Sequence, residues 1–76
     1  MGKRWYKDAV IGVESERIEQ LIRSYVHSAR DREVVRLALL DDISYTHIAD
    51  RLELNVSSRS VQEIMNKWAP IILAHL

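Results

Sequence analysis

The residues best placed to do chemistry are Ser58, Arg59, Ser60, Gln62, Glu63, Asn66 and Lys67. Helical spacing separates them from Val61, Ile64, Met65 and Trp68, which repeat at three- and four-residue intervals and mark an apolar face. What the polar row offers is hydrogen bonding to base edges and phosphates. Arg pairs bidentately with guanine, Asn and Gln pair with adenine, and Glu accepts from the cytosine amino group. On this reading Arg59 and Gln62 contact bases, and Asn66 contacts a base or a phosphate. Ser58, Ser60 and Lys67 anchor the backbone. Glu63 faces the groove edge, where it either accepts from cytosine or repels phosphate. The alternative for the whole row is a solvated helix face.

Other chemistries find little support. There is no cysteine, so no thiol nucleophile, thiolate metal site or disulfide. There is no Gly-rich phosphate loop and no His-Glu-x-x-His pattern. His27, His47 and His75 are too far apart in sequence for a metal-ligand spacing. Asp41, Asp42 and His47 can be drawn as an acid–base set, but a turn-facing acidic pair beside a surface histidine is ordinary. The expectation is a protein that is not an enzyme and needs no cofactor or metal.

The elements that must position the polar row are two short helices and the turn between them. Ser44 is a natural N-cap, because its hydroxyl can accept from an unpaired first-turn amide. Ile48, Ala49 and Leu52 then mark one apolar face. Glu53-Leu54-Asn55-Val56 breaks that pattern, and Ser57 or Ser58 offers the next N-cap.

These residues resemble a helix-turn-helix, and within that group the fourth region of bacterial sigma factors and small phage or mobile-element regulators of that type. The matching positions are Ser44-Tyr45, Ile48-Ala49-Asp50-Arg51-Leu52 and Ser60-Val61. Arg32-Glu33-Val34-Val35 looks like the helix that precedes the motif in that family. The resemblance runs from Arg30 to Trp68. It implies that Ala49 lets the second helix cross close over the first, that Val61 packs into their shared core, and that the second helix reads double-stranded DNA. Two departures bear on the docking angle: Glu53 stands where the family usually has Gly, and the stretch from Ala49 to Val61 is longer than usual.

The rest of the chain reads as helical. Of 76 residues 47% are hydrophobic, enough for one modest core and against disorder. With two Gly, one Pro and no strand-like alternation, the fold class is all-α, a small bundle of four to five helices. Residues 1–12 form a basic arm, and residues 13–76 a single domain with the helix-turn-helix at about 44–68. In the arm, Lys3, Arg4 and Lys7 are candidate backbone contacts, as are Ser44 and Tyr45 in the motif. The alternative is a solvated terminus whose Trp5 and Tyr6 cover an edge of the core.

A first long helix is expected from Ser15, acting as cap, to Ala29, with a stripe of Ile18, Leu21, Ile22, Tyr25, Val26 and Ala29. That stripe is either core or a self-association face. His27 sits on its rim. Ser28 and Asp31 have capping-box spacing and start a second, mostly buried helix to Leu40. Its Arg30, Arg32 and Arg36 either brush a DNA backbone or pair with nearby carboxylates. Pro70 is expected to open a separate terminal helix carrying Ile71, Ile72 and Leu73.

Charge argues against a strong nucleic-acid footprint. The net charge is zero, and residues 41–56 set Arg51 against Asp41, Asp42, Asp50 and Glu53. Modest affinity per subunit is expected, with a homodimer or a protein partner supplying the rest. A second reading is an interaction module on the same fold, docking a protein through Ile18, Ile22 and Ile72. No secretion signal and no membrane-spanning run is visible, which points to a cytoplasmic protein with no membrane partner.

Overall fold

Four helices and one 3-10 turn make up the described chain, residues 6–51 and 57–76 of a computed structural model. They are α1 (Ser15–Tyr25), α2 (Ala29–Leu39), α3 (Tyr45–Arg51) and α4 (Ser58–Ala74), with the turn at Asp8–Val10. No strand occurs among the described residues. The protein is the small all-helical bundle that its composition calls for.

Ser28 decides where α1 stops. Its hydroxyl accepts from the Asp31 amide at 3.3 Å and caps α2. An N-cap residue needs extended backbone, and Ser28 has φ −94 and ψ 133. The chain therefore leaves the helix at Val26, also extended, and α1 ends at Tyr25 rather than at the expected Ala29. Ala29 is exposed as the first residue of α2. The start of α1 also differs from expectation. Ser15 is its first residue, and the N-cap is Glu14, whose side chain makes no capping bond. Gly12 turns the chain into this start at φ +83, a conformation most side chains resist.

At the far end of α2, Asp42 occupies the left-handed region at φ 54, which short polar side chains tolerate best after glycine. The Ile43 amide then reaches back to the Leu37 carbonyl at 3.1 Å, closing the helix and turning the chain into α3.

The core draws on every helix. Ile18, Leu21 and Ile22 of α1 meet Val34, Val35, Leu37, Ala38 and Leu39 of α2, Ile48 of α3, and the inner face of α4. Leu40 is only half-buried. α4 packs against all three other helices. Full burial of one Val, Ile or Met side chain contributes about 1.5–3 kcal/mol, and Val61, Met65 and Ile72 are each wholly buried.

The apolar surface expected to serve self-association or a docked protein is consumed here. Ile18, Ile22 and Ile72 are each 2% exposed or less. Ile11 and Leu76 are the exposed large hydrophobics among the described residues. No helix among them is long and apolar enough to cross a membrane.

Pro70 lies inside α4, not at the start of a separate helix. Proline there removes one backbone hydrogen bond and crowds the carbonyl four residues back, at a cost of ~3 kcal/mol or more. Two features keep the helix whole. Pro70 and Asn66 both face solvent, so water can reach the stranded carbonyl. Beyond the proline, Ile72 is fully buried and Ile71 and Leu73 pack on the core. The helix end is also tied to α1, where Arg17 donates to the His75 carbonyl at 2.9 Å and Tyr25 stacks on the His75 ring at 4.2 Å.

From Tyr6 onward the expected arm belongs to the body of the domain. Tyr6 is 1% exposed and joins the core, and Lys7 pairs with Asp42 at 3.3 Å. Lys3, Arg4 and Trp5 lie outside the described residues.

Candidate nucleic-acid interface

The outer face of α4 follows from its inner one. Val61, Ile64, Met65, Trp68, Ala69 and Ile72 are buried, which fixes the rotation of the helix about its axis. Ser58, Arg59, Gln62, Glu63, Asn66 and Lys67 are consequently exposed, at the three- and four-residue spacing of a single face. The helix begins at a sound cap: the Ser57 hydroxyl accepts from the Ser60 amide at 3.2 Å. Ser60 belongs to that cap. Its hydroxyl lies 3.2 Å from that of Ser57 and its side chain is half-buried, so it supports the helix start more than it faces outward.

The polar row makes few commitments to the rest of the molecule. Arg59 Nε stands 3.8 Å from a Glu63 carboxylate oxygen, one helical turn on. Both side chains are largely in solvent, 88% and 70% exposed, so the pair contributes little and opens easily. Among the described residues, no side-chain hydrogen bond ties Gln62 or Asn66 to another element. Lys67 lies with its ammonium 4.7 Å from the centre of the Trp68 ring.

The other expected contacts are placed differently. Ser44 caps α3, accepting from the His47 amide at 3.4 Å, and its hydroxyl lies 3.0 Å from His47 Nδ1. Tyr45 is half-buried against the core. Lys7 is engaged by Asp42 on the opposite end of α2 from Ser28. The turn expected between the two helices of the motif, Glu53 to Val56, lies outside the described residues, as does Leu52, but the two helices pack directly on each other. Ile48 is fully buried in the core, and Ala49 is half-buried against it.

One contact that sequence spacing did not reveal organises this region. Asp31, 7% exposed, accepts from Trp68 Nε1 at 2.9 Å. Arg30 lies 3.4 Å from the same carboxylate. A buried carboxylate is tolerated only when its oxygens are bonded, and here the indole and the guanidinium do so. The bond locks α4 to the first turn of α2. Local spacing marks Asp31 as a cap and as a partner for the α2 arginines, and nothing local in the sequence pairs positions 37 apart.

The arginines of α2 go mostly to carboxylates. Arg36 holds Glu19 of α1 at 3.1 Å, with Arg23 at 3.7 Å from the same group. Of the residues considered for acid–base work, Asp42 pairs with Lys7 and His47 with Ser44. No cluster of three or more metal-ligating side chains occurs among the described residues.

Comparison with known protein families, with curated proteins and with solved structures finds no match to this chain.

Proposed function

We propose that this protein is a sequence-specific DNA-binding regulator that reads the major groove with α4, a helix-turn-helix regulator of the phage or mobile-element type. The observation that carries the reading is the exposed row of Arg59, Gln62, Glu63 and Asn66 on one face of a helix whose other face is locked in the core. A helix with base-reading side chains on its solvent face matches the width and donor–acceptor code of a major groove. Arg59 and Gln62 contact bases, Asn66 contacts a base or phosphate, and Ser58 and Lys67 hold the backbone.

Easy opening of the Arg59–Glu63 pair suits this role. Once parted, Arg59 can meet guanine and Glu63 the amino group of cytosine. Near-neutral charge keeps non-specific affinity low, so base contacts must supply a large share of the discrimination. A docked protein is the weaker reading, because Ile18, Ile22 and Ile72, its expected anchors, are buried.

Selection from a randomised duplex library tests the proposal. Wild-type protein should enrich one short motif, and a protein carrying both Arg59→Ala and Gln62→Ala should enrich none. Enrichment of the same motif by both proteins, or of no motif by wild type, would overturn it.

A further inference from the structure

Three basic or donor groups from separate parts of the chain meet around the Trp68 indole. Lys67 of α4 lies over the ring, its ammonium 4.7 Å from the centroid. His27, in the connection between α1 and α2, approaches edge-on with ring centroids 6.2 Å apart. Arg30, in the first turn of α2, pairs with Asp31, whose other oxygen takes the indole N–H at 2.9 Å. All three side chains are exposed, whereas Asp31 is buried beneath them. The two contacts to Asp31 use only part of the five N–H donors of Arg30.

We infer that Arg30, His27 and Lys67 form one phosphate-contacting cluster beside the reading face of α4. This rests on the DNA reading and adds to it a second anchoring point built from α2 and the α1–α2 connection. The ligand is a backbone phosphate of the bound duplex. Two cations and a ring N–H converge around Trp68 on one side of α4. Trp68 and Asp31 hold the platform rigid, so the donors need little ordering on binding. Arg23 and Arg36, by contrast, are drawn to Glu19 and lie outside this cluster.

The test is the salt dependence of binding to the enriched duplex, by fluorescence anisotropy, for wild type, Arg30→Gln, His27→Ala and Arg23→Gln. Each lost phosphate contact by a cation should lower the slope of log affinity against log salt by about one. Arg30→Gln should show that drop. His27→Ala should weaken binding about 2- to 10-fold, the worth of one hydrogen bond. Arg23→Gln should match wild type. His27 is exposed and meets the core only edge-on at Trp68, so its variant keeps the test decisive if Arg30→Gln fails to fold. Wild-type slope and affinity in Arg30→Gln and His27→Ala, with Arg59→Ala still weakening binding, would reject the cluster and leave the α4 reading standing. Failure of wild type to bind any duplex would overturn both.

Discussion

The outer faces of α2 and α4 carry similar side chains and use them in opposite ways. On α2, Arg36 reaches across to Glu19 of α1 at 3.1 Å. On α4, Arg59 finds only Glu63 of its own helix, at 3.8 Å and in full contact with water. A pair that spans two helices depends on their register and helps fix it. A pair along one exposed helix fixes nothing and opens at little cost. Residue type alone does not distinguish a structural arginine from one available to a ligand; the location of its carboxylate does.

The sharpest way to break this contrast is at the contact joining the two helices. Trp68→Ala removes a large buried side chain and strands Asp31, and should cost about 3–5 kcal/mol in urea unfolding. Trp68→Phe keeps most of the volume but removes the N–H that Asp31 accepts, and should cost about 1–3 kcal/mol. If Trp68→Phe were neutral, the Asp31 bond would not be what holds α4 to α2. Ser57→Ala removes the cap of α4 and should cost about 1 kcal/mol, with the loss visible as reduced helicity near its exposed polar row. Arg36→Met should cost about 0.2–1 kcal/mol, since that pair is half-exposed. Arg59→Ala should shift the unfolding midpoint less than any of these, because its partner is equally exposed. A larger loss for Arg59→Ala than for Arg36→Met would reverse the comparison.

Much of the bundle was legible in the chain. The stripe of Ile18, Leu21 and Ile22, the Ser28 and Ser57 caps, and the inner face of α4 all follow from local spacing, and each is where that spacing places it. What escaped local reasoning depended on distant partners. Pro70 continues α4 because Ile72 is buried against other helices, a gain that no window around the proline contains. The end of α1 was set by competition, since Ser28 could not both continue one helix and cap the next. The Trp68–Asp31 bond joins positions with no sequence relation. In the candidate site, the exposed row of α4 was legible because it is the complement of an apolar pattern. Ser60 and Ser44, expected as backbone contacts, have hydroxyls that serve as a cap partner and a cap. Capping serines and phosphate-binding serines have the same sequence signature, and only the direction of the hydroxyl separates them.

The most direct test is fluorescence anisotropy on the duplex enriched by selection, at low salt, comparing wild type with Arg59→Ala. The account predicts binding that falls as salt rises, with the variant weaker by about 1–3 kcal/mol on the preferred sequence and its thermal unfolding unchanged. Equal binding by the two proteins, or none by wild type, would contradict the assignment of α4 as the reading helix.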